Sequence, residues 1–245
     1  VEENHMYIRI ASNDFFAVSK DVVSKMIAGE LTAEQAYQAF NAQLLADEEP
    51  ADNETVLTSG KAYSNVFHAN GGSAAFSVMA NTLRGVYGTD VLLATANSFT
   101  GSVLQADYNQ KMAASMIMPN GLMSRQRTMT GAELKEIVRA FVEGCEGGFV
   151  PFNRGSLPVV SGIAVEVKEN NGGYTLTGIT RNGQPLGDND TVTVTCLATE
   201  KQMEALLASD SGTSAGEDTW VKNTWRDYIS GGAALAEPEN YMTLR

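Results

Sequence analysis

Residues 127–144 read RTMTGAELKEIVRAFVEG, and three local signals in them agree on one helix. Thr130 stands three residues before Glu133, so its hydroxyl can accept from the Glu133 amide while the carboxylate reaches back to the Thr130 amide. This capping box starts the helix at Gly131. Leu134, Ile137, Val138, Phe141 and Val142 recur at the spacing that gives a helix one apolar face, with Lys135, Glu136, Arg139 and Glu143 opposite. Gly144 and the pair Gly147-Gly148 end it. Ahead of the cap, Met116 to Arg127 reads as a strand interrupted at Pro119-Asn120-Gly121, with Leu122, Ser124 and Gln126 on one face and Met123, Arg125 and Arg127 on the other.

Working outward in the amino-terminal direction, Gly71-Gly72-Ser73 opens a helix whose Phe76, Met79, Ala80 and Leu83 face one way and which ends near Gly85 to Gly88. Asp90 to Ala96, DVLLATA, is a short apolar run bounded by Gly88 and Asn97, the pattern of a buried strand. Asp107 to Met118 reads as helix running into strand. Earlier still, residues 1–46 are expected to form a helical appendage that follows a short strand-like stretch, Tyr7-Ile8-Arg9-Ile10. Val22, Val23, Met26 and Ile27 recur at helical spacing, and Thr32 with Gln35 makes a second capping box. Between them and the larger domain, residues 47–59 are acidic and hold Pro50, the composition of an exposed linker.

In the carboxyl direction the chain becomes mostly β. Residues 162–167 alternate, Asn170 to Gly173 supply the positive φ angles of a hairpin, and Tyr174-Thr175-Leu176 returns. Asn182-Gly183 marks another turn, Thr191 to Cys196 alternates as TVTVTC, and helices are expected over 200–208 and through Trp220, Trp225 and Tyr228 to Gly231-Gly232. The class is α+β, with residues 60–245 as one domain.

Composition narrows the partners. With 43% hydrophobic and 19% charged residues the 245-residue chain is an ordinary globular one, and no apolar run approaches the roughly 18 residues that span a bilayer. Its net charge of −12 repels a phosphate backbone, so long nucleic acid, anionic membranes and membrane insertion are excluded as expectations. No signal peptide is recognisable, and a start at Val1 is expected of a processed product or an excised piece. Cys145 and Cys196 form no CxxC; two buried thiols are the default, and a disulfide stays open if the parent is secreted.

Two resemblances follow. FFAVSKDVVSKMIAGELTAEQAYQAFNAQL, residues 15–44, resembles the closing segment of bacterial extracellular solute-binding proteins of the ABC-transporter type. Residues 60–245 resemble the carboxy-terminal domain of the 5′-nucleotidase family, on GVYGTDVLLATANSF, MIMPNGLMSRQRTMTGAELKEIVRAFVEG, GSLPVVSGIAVEV and ITRNGQPLGDNDTVTVT, of which MTGAELK and PVVSGIAVEV are the most specific. The second resemblance implies a layered α/β/β/α fold that grips the nucleoside part of a nucleotide, while hydrolysis belongs to a separate amino-terminal metallophosphatase domain. Nothing in this chain matches that domain's Asp-x-His and Gly-Asn-His-Glu metal motifs, and His5 and His68 are the only histidines, so no cofactor or metal and no phosphate-ester hydrolysis is expected of the chain alone.

The resemblance also places the ligand groups, and three of them differ here. The family's glycine-rich loop ends in an arginine, where this chain has Asn97-Ser98-Phe99-Thr100-Gly101 with Phe99 or Thr100 at that position. Leu157 stands where the family places an aromatic ring ahead of PxVSG, and Leu197 to Glu200 replace the second stacking element. The remaining candidates for contact with a nucleoside or another small molecule are Asn97, Phe99, Asn120, Phe149, Phe152, Arg154 and Leu157. Turn formation explains the two asparagines equally well, and core or lid packing the two phenylalanines. Arg125 and Arg127 read as an outward, solvated strand face. The implied setting is extracellular or cell-surface, periplasmic in a Gram-negative cell, with an upstream solute-binding or metallophosphatase domain.

Overall fold

The computed structural model describes residues 7–9, 15–17, 24–25, 27–32, 35, 54–68, 71–118, 121–143, 158–170, 173–199 and 212–245. In chain order the strands are β1 (Tyr7–Arg9), β2 (Phe15–Ala17), β3 (Thr55–Ser59), β4 (Val91–Thr95), β5 (Ala106–Asn109), β6 (Leu122–Thr130), β7 (Pro158–Ser161), β8 (Ala164–Asn170), β9 (Gly173–Arg181), β10 (Gln184–Pro185), β11 (Thr191–Thr199), β12 (Thr213–Ser214), β13 (Thr219–Trp220) and β14 (Met242–Leu244). The helices are α1 (Ala74–Tyr87), α2 (Gln110–Ala114), α3 (Gly131–Glu143) and α4 (Val221–Ser230).

The expected α3 forms with the expected cap. The Thr130 amide donates to Glu133 Oε2 at 2.6 Å and the Glu133 amide donates to Thr130 Oγ1 at 3.3 Å, so each residue satisfies the other's backbone donor. Those hydrogen bonds hold the Glu133 carboxyl below its ordinary pKa. The next two orphan amides go to the turn ahead of β11, the strand beside β6: Gly131 donates to the Asp190 carbonyl at 2.7 Å and Ala132 to that of Asp188 at 3.0 Å. A Cβ on residue 131 would lie 1.9 Å from the Gly187 carbonyl oxygen, so only glycine lets the helix start this close. Leu134, Ile137, Val138, Phe141 and Val142 are all buried.

β6 runs straight into α3 and sits inside a six-stranded sheet. The order is β12-β6-β11-β4-β7, with β13 also on β6; β11 pairs β6 antiparallel along its whole length and β4 in parallel. A four-stranded sheet, β10-β9-β8-β14, makes the second layer. α3 leaves the large sheet and lies against β9 of the small one, whereas α1 packs on β4 and β7. Val165, Val167 and Ile179 of the small sheet join Val192, Val194 and Leu134 in one continuous apolar core. The Asn182-Gly183 turn joining β9 to β10 has φ of 52° and 75°, the left-handed pair that a tight hairpin requires.

α1 is buried on more than its apolar stripe. Ser73 caps it, its hydroxyl accepting from the Phe76 amide, and Gly88 ends it in the left-handed conformation at φ 66°. Residues 75–83 are all buried, because the carboxyl-terminal segment straps the polar side. Ser77 Oγ donates to the Glu239 carbonyl, Asn81 Nδ2 to that of Glu237, and Thr82 Oγ1 accepts from the Ala236 amide. The strap ends as β14, parallel to β8, with Tyr241 buried and its hydroxyl accepting from the Ser73 amide at 3.1 Å.

Several expectations change. The strand-like stretch at Tyr7 forms as β1, but it pairs antiparallel with an unexpected β2, so the appendage is not helical throughout; Ser24, Lys25 and Ile27 are helical, and the Thr32–Gln35 box forms with bonds of 2.9 and 3.2 Å. Thr55–Ser59, at the end of the expected linker, is strand β3, and Leu57 is a core residue. Asp107 begins no helix: β5 pairs with β3, and α2 starts only at Gln110, where Asn109 caps it. Arg125 is not a free edge cation, because β6 has neighbours on both sides and Arg125 makes a two-pronged pair with Asp218 at 2.6 and 2.9 Å. Cys196 is a free thiol whose pKa is pushed up to about 12 by burial, and Cys145 lies outside the described residues, as does the expected helix over 200–208.

Candidate functional site

β4 is the strand on which both candidate regions hang, one at each end. At its carboxyl end the chain makes a short 3-10 turn over Ala96–Ser98. Thr100 donates to the Met116 carbonyl at 3.0 Å and Met118 to that of Ser98 at 3.1 Å, which lashes this loop to the segment preceding Pro119. Thr95 pairs with Pro158, so the start of β7 arrives at the same place. The region is therefore assembled from three separate pieces of chain.

Its side chains divide sharply. Asn97 is exposed at the open end of the turn. Phe99 is 5% exposed and stacks on Phe76 with ring centroids 5.9 Å apart, so its ring belongs to the core. The Ser98 and Thr100 hydroxyls are buried, with no hydrogen-bond partner among the described residues. Asn120, Phe149, Phe152, Arg154 and Leu157 lie outside the described residues. The loop 96–100 thus brings one exposed amide side chain, and no cation, to this end of the strand.

The amino end of β4 is built quite differently. Asp90 Oδ2 accepts from the Thr193 amide at 2.9 Å and hydroxyl at 3.0 Å, while the Asp90 amide donates back to Thr193 Oγ1 at 2.9 Å. Asp90 Oδ1 pairs with Arg181 Nη2 at 2.5 Å. Burial alone would raise this carboxyl; the Thr193 hydrogen bonds and the charges of Arg181 and Arg84 outweigh it and hold Asp90 below its ordinary value. Next to it, Thr89 Oγ1 lies 2.9 Å from Thr195 Oγ1, and Gly162, at φ 80°, passes so near that a Cβ there would sit 2.0 Å from the Asp90 carbonyl oxygen. Arg84 Nε donates to Ser161 Oγ at 2.8 Å. Arg84, Asp90, Gly162 and Arg181 wall a cleft of about 380 Å³ between the 162–164 corner, the Asn182-Gly183 turn and Glu239-Asn240.

Two of the quoted motifs meet a third at this joint. Asp90 belongs to GVYGTDVLLATANSF, Ser161 and Gly162 to GSLPVVSGIAVEV, and Arg181 and Thr193 come from ITRNGQPLGDNDTVTVT. Sequence reasoning passed over Arg84, Asp90 and Arg181. Their signal was a lone cation in the last turn of an apolar helix and a carboxylate at the mouth of a buried strand. Among the described residues, no group of three His, Cys, Asp or Glu could hold a metal ion, and no helix is long and apolar enough to cross a membrane.

No protein-family model matches the sequence, and no curated protein is significantly similar to it. Solved structures do match in shape. The 5′-nucleotidase precursor of Thermus thermophilus is similar at 13% identity and a TM-score of 0.57, over 86% of this chain and 43% of that one. NAD nucleotidase of Haemophilus influenzae is similar at 14% and 0.58, over 98% of this chain and 48% of that one. The Thermus thermophilus sulfate thiohydrolase SoxB, in complex with glycerol, gives 14% and 0.60, over 89% and 40%. This chain spans less than half the length of each of these proteins. Its architecture is an α+β fold of the 5′-nucleotidase carboxy-terminal type.

Proposed function

We propose that this chain is a non-catalytic, substrate-binding-type domain of the 5′-nucleotidase family, part of a secreted bacterial surface protein, whose nucleotide site has lost its grip on nucleotides. The observation that carries this reading is the loop at the carboxyl end of β4. Where the resemblance expects an arginine for an anionic substrate, Phe99 stacks into the core on Phe76 and the Thr100 hydroxyl is buried. An ionised ligand taken from water into such a place meets no charge-assisted hydrogen bond from the loop, and a desolvated anion without one is strongly disfavoured. On this reading the domain recognises a different ligand or serves a structural role at the cell surface, joined through residues 1–46 to a solute-binding protein. Calorimetry with AMP, adenosine and UDP-glucose tests it: no heat of binding is expected, and micromolar affinity for any of the three refutes the loss.

A second reading is favoured by the length comparison. The solved structures are more than twice as long as the portion this chain matches, which leaves room for a catalytic part. The chain would then be the specificity domain of an active 5′-nucleotidase or 2′,3′-cyclic phosphodiesterase of nucleotide catabolism. The reading frame upstream of Val1 separates the two, since a metallophosphatase domain there supports the second reading and a solute-binding fold the first.

A further inference from the structure

Arg84 is fastened along one edge only. Its Nε donates to Ser161 Oγ at 2.8 Å, Ser161 donates in turn to Asn81 Oδ1, and Asn81 Nδ2 donates to the Glu237 carbonyl at 2.8 Å. This relay sets the plane of the guanidinium. Among the described residues its terminal nitrogens have only Glu239 Oε1, at 3.9 Å, beyond hydrogen-bond reach. Across the same cleft the two carboxylates are unequal. Asp90 is saturated by Arg181 and Thr193, whereas the Glu239 carboxylate is 53% exposed and accepts no hydrogen bond among the described residues.

The cleft wall therefore holds a pre-oriented donor fork and, 3.9 Å from it, a carboxylate that accepts no hydrogen bond among the described residues. At about 380 Å³ it is of the size of a small-molecule pocket, roughly 300–1,000 Å³. Gly183 at its rim has nothing within 4 Å of where a side chain would begin, so entry is open. Arg84 and Arg181 balance Asp90 and Glu239, so a ligand with net charge is opposed by half of the wall. A ligand carrying both signs is not. We propose that this cleft binds a small zwitterion of the amino-acid type, its carboxylate on the terminal nitrogens of Arg84 and its ammonium on Glu239.

This site is at the opposite end of β4 from the one bearing on nucleotides, so it stands whichever way that question is settled. The test is a titration of the chain with L-glutamine, followed by the backbone amide NMR signals of Gly183 and Asn240, beside succinate and putrescine as singly signed controls. Saturable shifts are expected with L-glutamine, and at least about tenfold weaker ones with either control. Glu239→Gln should weaken L-glutamine binding about tenfold while leaving the thermal midpoint in place, because an exposed pair at this separation adds little to stability. Arg84→Gln should abolish binding. The proposal is overturned by the absence of a saturable shift, by succinate or putrescine binding as tightly as L-glutamine, or by unchanged affinity in Glu239→Gln.

Discussion

The two ends of β4 are a short strand apart and are built on opposite principles. At the amino end, the polar atoms that join the two sheets are paired: Asp90 takes three donors, Thr89 meets Thr195, and Gly162 lets two backbones touch. At the carboxyl end, two buried hydroxyls have no partner among the described residues, and an aromatic ring occupies the core beside them. The difference separates what a scaffold needs from what a ligand needs. Residues that join the two sheets spell the motifs that carried the resemblance, and they would be required whatever the domain binds. The loop at the carboxyl end is the one on which the proposed loss of nucleotide binding rests, with Phe99 or Thr100 where the resemblance expects an arginine.

The largest effect that would break this contrast comes from Gly162→Ala. A methyl at φ 80°, 2.0 Å from the Asp90 carbonyl oxygen, should cost about 3 kcal/mol or more in chemical denaturation. A loss below about 1 kcal/mol would mean that the joint is looser than its geometry says. Asp90→Asn comes next, at about 1–2 kcal/mol near neutral pH, since the pair with Arg181 is only partly shielded from water. The sign with pH follows from the depressed carboxyl of Asp90. Its contribution is complete above the unfolded value, about 4, and is lost as pH falls through the lower folded value, so the parent and Asp90→Asn should converge in acid. Thr130→Ala, which removes the cap of α3, should cost about 1 kcal/mol in the same assay. Ser98→Ala is expected to change least and to stabilise slightly, by up to about 1 kcal/mol, because it deletes an unpaired buried hydroxyl. A clear destabilisation there would show that the hydroxyl has a partner and that the two ends are more alike than described.

Local chemistry was legible in the sequence where it is self-contained. The Thr130–Glu133 box, the stripe from Leu134 to Val142, the Asn182-Gly183 turn and the alternation of TVTVTC each carry their own geometry within a few residues, and each formed as expected. Long-range pairing was not legible. β3 and β5 are short and polar enough to look like linker and helix, and they become strands only because each completes the other. The polar face of α1 shows the same limit: Ser77, Asn81 and Thr82 lie off the apolar stripe, and nothing local marks that a segment more than 150 residues later covers them. Of the candidate site, the sequence marked Asn97, which the structure leaves exposed, and its loop. It gave no sign that Phe99 turns inward, because its stacking partner Phe76 is two elements away.

The strap across α1 sets a condition on how the protein is made. Tyr241 seals the entry to that helix, and β14 is the outer strand beside β8, so neither sheet nor helix has its full set of neighbours until Leu244 has been added. Synthesis proceeds at about 5–20 residues per second, and through most of it the buried face of α1 stays uncovered and open to wrong partners. A nascent chain halted just short of Tyr241 should remain open to protease at α1, and only emergence of residues 241–244 should close it.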